Sequence, residues 1–204
     1  EAIQVNATAN DITMADGSLF NATSGVIDLN AGGNVVLGQL TTSSTVNVDA
    51  TAGAISDITA AETANISGST VTLVASSGIG ATGVADIDTA ATTLNATTTT
   101  GGIDLTETNG VALGTLSTTT SGNITVVAGG AITTSGTTST AGAGNIDIST
   151  TTGSAIIVSN TIGANGAGTV VLNSAGLLTV NQAISSSTGS LTLTGGTGAA
   201  FGAG

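Results

Sequence analysis

Twelve carboxylates are the only ionisable side chains in this 204-residue chain, because Lys, Arg, His, Cys and Tyr are all absent. Two pairs are close enough in sequence to cooperate. Asp86 and Asp88 stand at i and i+2, which places both on one face of an extended strand. Asp57 and Glu62 flank a short intervening stretch. Paired carboxylates are what glycoside hydrolysis requires, and carboxylates with Asn and backbone oxygens are what calcium takes as ligands. A plainer reading stands beside each. A strand turning Asp86 and Asp88 outward carries a solvated acidic edge, and neither the D-x-D-x-D-G loop nor the GGxGxD repeat of calcium proteins occurs here. The expectation is solvated charge with at most weak divalent-cation binding at these pairs, and no catalytic residue, cofactor or dedicated metal site.

The missing residues exclude more. Ser-His-Asp and Ser-Lys nucleophiles need a base the chain does not have. Zinc sites need His or Cys. Polysaccharide lyases built on β-helices use Arg or Lys as base, and neither is present. With a formal net charge of −12 and no cation to meet phosphate, the chain is expected to bind neither nucleic acid nor anionic membranes. No apolar run approaches the roughly 18 residues of a membrane helix, so membrane insertion is not expected. A secretory signal needs a basic n-region, and the sequence opens at Glu1, so it reads as a mature product or an excised piece. Five glycosylation sequons begin at Asn6, Asn21, Asn65, Asn95 and Asn123, a number that so Thr-rich a chain produces by chance.

The elements that would position these groups show themselves through an internal repeat. Residues 27–40 read IDLNAGGNVVLGQL and residues 103–116 read IDLTETNGVALGTL, so Ile27, Leu29, Val35, Leu37 and Leu40 recur 76 positions later as Ile103, Leu105, Val111, Leu113 and Leu116. A third copy, VVLNSAGLLTVNQAI at 170–184, keeps Val170, Leu172, Leu178 and Val180 in register, and its Ile184 slips by one. Each copy runs through a Ser/Thr bend into another apolar-x-apolar triplet: Val46 to Val48, Ile124 to Val126, Leu191 to Leu193. Period-two alternation directs the aliphatic residues of a triplet to one face and the middle residue to the other. Those middle residues are mostly polar: Gln4, Asp28, Asn47, Thr72, Asp104, Thr125, Asp147 and Thr192. Helix is disfavoured throughout by Gly, Thr, Ser, Asn and Val.

Successive triplets are 19 to 25 residues apart (27, 46, 71; 103, 124, 146, 170, 191). That interval suits one turn of a parallel β-solenoid, with two or three short strands per turn and the same face returning one rung higher. The fold class expected is all-β, a single-stranded parallel β-helix of about nine or ten coils, continuous over residues 1–204. Rungs about 4.8 Å apart would make a rod roughly 45 Å long. Segment 74–102 breaks the rhythm and is expected to hold either an extra coil through Ile79, Ile87 and Leu94 or an edge loop. Aliphatic residues would stack inside. Outside, Asp would alternate with Thr and Asn, keeping like charges off adjacent rungs.

Phrases such as GNITVVAGGAITTSG (122–136) and GSLTLTGGTGAA (189–200) resemble the repeats of filamentous-haemagglutinin-type proteins. The resemblance covers nearly the whole chain. It implies a right-handed parallel β-helix, and a place among large bacterial surface or secreted exoproteins, often exported by a two-partner route. It carries over no catalytic motif, and the loss of every Lys and Arg departs from the usual members.

Three functional readings follow. The first is a non-enzymatic extracellular or cell-surface rod, stalk or filament segment, its partner being itself, stacked end to end, or the rest of a longer chain. The second is an adhesin segment binding glycans or neighbouring cells; with Phe20 and Phe201 the only aromatics, it would present a site located elsewhere. The third is ice binding through Thr ladders, which the Thr runs at 97–100, 118–120 and 150–152 serve poorly because they fall in bends. Trypsin finds no site in the chain, which suits life outside the cell.

Overall fold

A computed structural model describes residues 1–59, 63–83 and 85–202. All of its regular structure is β-strand, without a helix, and the strands stack in parallel as a β-solenoid of about nine turns. Ile103 and Leu105 point inward at 1% and 0% exposure, in a continuous column of Ile, Leu and Val. Each such side chain contributes about 1.5–3 kcal/mol on burial.

The repeating unit is one long strand followed by two short ones. Residues Ile27–Ala31, Val35–Leu37 and Gln39–Thr42 form one copy. Residues Ile103–Glu107 and the bent strand Val111–Thr118 form another. The two copies do not occupy the same side of the rod. Ile27 pairs with Val46, Val46 with Val71 and Val71 with Leu94, which is three full turns in 67 residues. The 76-residue step runs nine residues further and lands on the adjoining side. There Ile103 continues a column built below it from the short strands, Ile12, Val35, Ile55 and Ile79. Above it come Ile124, Ile146, Val170 and Leu191. The second and third copies of the repeat therefore share a column, and the first copy lies on another.

Two changes make this phase shift. Ile79 and residues 87–89, on two sides of the lower turn, both pair with the single straight strand Ile103–Glu107. The long strand of the lower turn, ending at Thr98, meets Val111–Thr118, where an extra residue enters between Leu113 and Leu116. Above that point this side is carried by pairs of short strands, first Ile132–Thr134 with Thr138–Thr140, then Ile156–Val158 with Ile162–Ala164. Ile79, Ile87 and Leu94 are fully buried members of the stack.

Corners in the upper turns are set by a file of glycines. A methyl added at Gly122 would sit on the carbonyl of Gly101, one at Gly144 on that of Gly122, and one at Gly168 on that of Gly144. The chain passes so close over itself here that only a residue without Cβ fits. The same corners are fastened from inside. The Thr118 hydroxyl donates to the Gly122 carbonyl at 3.2 Å, and Thr140 to Gly144 at 2.6 Å. Thr98 and Thr118, both within the Thr runs, are thus buried strand ends that close a bend.

Candidate functional site

The phase shift gathers most of the chain's unusual side chains. Ile79 pairs with Ile103 and Ile87 with Leu105, so the described residues 80–83, 85 and 86 oppose Asp104 alone. Such a surplus must leave the wall as an outward excursion. Gly80 and Gly83 give it the left-handed backbone it needs, at φ 65° and 81°. The Ala81 N–H donates to the Ala85 carbonyl at 2.8 Å, and the Asp86 N–H to the Gly83 carbonyl at 3.2 Å. The excursion and the strands beside it form a shallow cleft lined by Gly80, Ala81, Thr82, Asp104, Asn123 and Thr125.

The expectation that Asp86 and Asp88 form a solvated edge is overturned: they are only 8% and 4% exposed. Asp86 belongs to the excursion, which turns its carboxylate back against the next rung, where the Thr106 hydroxyl donates to it. The Asp88 backbone N–H donates to Asn65 Oδ1 at 2.9 Å. Asn65 is itself fully buried, and its Nδ2 donates to Asp57 at 2.8 Å and to the Thr59 hydroxyl at 3.1 Å. Asn65 thus ties the rung of Asp57 to that of Asp88. Asp57 also receives the Thr59 N–H at 2.6 Å, an Asx-type turn that starts the crossover. Glu62, its suggested partner for calcium, lies outside the described residues. Among the described residues, no three carboxylates converge as a metal-ligand set.

Two groups that matter here were not singled out by their spacing. Asp104 shares the outward face of its strand with Thr106 and so lies beside Asp86. Burial first, and then the negative charge of Asp86, push its carboxyl up to about 6. Glu107 is fully buried. Its oxygens accept the Thr89 hydroxyl at 2.8 Å, the Ala91 N–H at 3.0 and 3.1 Å, and the Asn109 N–H at 3.3 Å. Burial raises its pKa, against the lowering effect of those hydrogen bonds, the Thr89 hydroxyl foremost. A signal for it was present: in the 76-residue repeat Glu107 stands where the first copy has Ala31. Elsewhere along the stack this inward position is small, as in Ala7, Ala50, Ala75 and Ala128.

Chemically, the cleft pairs one carboxyl that burial raises to about 6 with a second carboxylate engaged by Thr106. The Asp57 and Glu107 carboxylates act as acceptors for backbone and side-chain donors left over where the rungs change phase. Of the sequons, Asn6 and Asn21 are exposed. Asn65 is buried with both ends of its amide bonded. Asn95 is half-buried and Asn123 exposed, and they accept from the Thr115 and Asn145 N–H groups.

These features define a β-solenoid repeat protein, compatible with the broad group of β-helix repeat proteins. Comparison with protein-family models, with curated proteins and with solved structures finds no match.

Proposed function

We propose that the chain is a structural segment, a rod or stalk, of a filamentous-haemagglutinin-like bacterial protein at the cell surface or outside the cell, and that it is not an enzyme. One observation carries this reading: polar side chains on the flank are used to bind rung to rung along the rod axis. Asn123 Oδ1 accepts the Asn145 N–H at 2.9 Å, and Asn145 Oδ1 accepts both the N–H and the hydroxyl of Thr169, at 2.8 and 3.1 Å. Lower down, Asp11 accepts the Asn34 N–H at 2.7 Å, and Asn34 accepts the Ala54 N–H at 3.0 Å. Asn6 and Asn30 bond across one rung at 3.1 Å, and Gln4 and Asp28 across the same rung at 3.2 Å. Groups bonded in this way reinforce length and leave fewer free to grip a substrate.

The inward positions of the last rung, Leu191 and Phe201, are 45% and 65% exposed. A further rung would cover them, supplied by the same polypeptide or by a second copy stacked on it. The partners on this reading are the chain's own rungs, with neither nucleic acid nor a membrane interior among them. An adhesive role belongs to this reading as the task of other parts of the parent protein, for which the rod provides reach. Electron microscopy and light scattering over a concentration series test it. Rods that lengthen in whole multiples of one subunit, or a native protein in which the segment continues into further coils, support it. Compact monomers at all concentrations, from a native protein no longer than this, would refute it. Strong specific hits on a glycan array would move binding to the segment itself.

A further inference from the structure

Fifteen Asn are spread along the rod. Many serve the stack: the side chains of Asn6, Asn34, Asn65, Asn95, Asn123 and Asn145 each bond to a neighbouring rung. Asn109 and Asn165 differ. They form the chain's two Asn-Gly pairs, both are exposed, and neither side-chain amide has a hydrogen-bond partner among the described residues. Asn before Gly is where a polypeptide attacks itself, because a following residue without Cβ lets its backbone nitrogen approach the Asn side chain. The Gly nitrogen bonds to the Asn Cγ, the bond from Cγ to the amide nitrogen breaks, and ammonia leaves carrying the proton of the Gly N–H. Water then opens the cyclic imide at either carbonyl, which yields Asp or isoaspartate. The reaction needs no His, Lys or Cys, none of which the chain has.

Ring closure requires the Asn carbonyl and the Gly N–H to swing about the bond between them and the Asn Cα, and the two pairs differ in what resists this. Asn109 is held on both sides. Its N–H donates to the buried Glu107 carboxylate at 3.3 Å, and its carbonyl accepts the Gly130 N–H of the next rung at 3.0 Å. Gly130 lies directly over this peptide, so that a methyl added to it would land on the Gly110 nitrogen. Asn165 follows the strand Ile162–Ala164, and its carbonyl accepts the Gly168 N–H at 3.0 Å from within its own turn. The rung above grips this corner one residue later, where the Thr188 N–H and hydroxyl both donate to the Gly166 carbonyl at 2.9 Å. We propose that Asn165 is a site of spontaneous deamidation in the folded rod, and that the stack protects Asn109 although it carries the same dipeptide. Each event adds a carboxylate to turns whose only other one beyond Glu107 is Asp147. Isoaspartate also lengthens the backbone by one methylene, in a corner where Gly166 already passes close over the Gly142 carbonyl.

Ageing the intact folded chain at mildly alkaline pH tests the proposal. An endoproteinase that cleaves before Asp then separates the two sites, because residues 104–146 carry Asn109 and residues 147–204 carry Asn165. Mass spectrometry follows the change of amide to acid in each fragment, and fragmentation spectra locate it. Asn165 should convert about tenfold faster than Asn109 or more, since a locally bonded turn opens far more often than backbone tied into the ladder. In denaturant the two rates should come within about twofold of each other, the stack being gone. Asn165→Gln should remove the fast conversion from the 147–204 fragment and leave the other fragment unchanged. Equal rates in the folded chain, or a faster Asn109, overturn the proposal. So does a ratio that denaturant leaves unchanged, which would assign the difference to flanking sequence and not to the stack.

Discussion

The turns below Thr98 and those above Gly102 use the same long–short–short unit and differ in where the long strand lies and in how their corners and charges are managed. Below, the long strand ends on an inward Ala, and acidic residues dot the outer face. Above, beyond Glu107, the only carboxylate is Asp147, and corners rest on glycines packed against the rung beneath, each tied by an inward Thr or Ser. A solenoid constrains its outline and the aliphatic nature of its interior, and it leaves the starting point of the unit around that outline free. Changing that starting point strands backbone donors where strands begin and stop, and Asn65 and Glu107 take them up.

The sharpest test of the comparison exchanges the two matched positions. Ala31→Glu places a carboxylate in an inward position that is 2% exposed, among alanines and without the donors that receive Glu107. It should cost about 3–5 kcal/mol, as an uncompensated buried charge does, and drive thermal unfolding by circular dichroism down accordingly. Gly144→Ala should cost about 3 kcal/mol, since its methyl lands on a backbone carbonyl that the ladder holds in place. Gly153→Ala, with φ at 72° and open space around it, should cost only about 1 kcal/mol. Similar losses for the two would remove close approach as the reason for the glycine file. Glu107→Ala restores the repeat's own residue, yet should still lose about 2 kcal/mol in denaturant titration, because the Ala91 N–H and Thr89 hydroxyl lose their acceptor. A gain in stability would show that the buried carboxyl costs more than the donors it satisfies. Smallest is Thr140→Val, isosteric and lacking only the bond to the Gly144 carbonyl, at about 1 kcal/mol.

Period two and the interval between triplets were enough to read the parallel stack, the inward residues and the six spacings, because burial on one face writes itself directly into alternation. The phase shift could not be read that way. Ile27 and Ile103 carry the same phrase, and similarity along the chain says nothing about which side of a rod a strand occupies; only pairing partners do. The polar cluster eluded the sequence for a related reason. Asp86 and Asp88 were placed outward by assuming one regular strand, whereas Asp86 precedes it in an excursion whose end folds back over the wall. Asp104 looked like any other outward Asp, since its neighbour Asp86 arrives from 18 positions earlier. Glu107 broke the repeat visibly, but an isolated Glu for Ala also fits a residue turned to solvent.

A rod whose winding begins anew partway along has consequences for force. Tension applied to its ends is carried from rung to rung by the backbone ladder, in parallel across each full circumference. At the shift the strand Ile103–Glu107 is paired from below at four of its five positions, Asp104 being the exception, so the wall there is crossed by fewer ladder pairs than the rung above it. Stretching would open the molecule first at this seam, paying out the excursion as a short tether while the turns on either side stay wound.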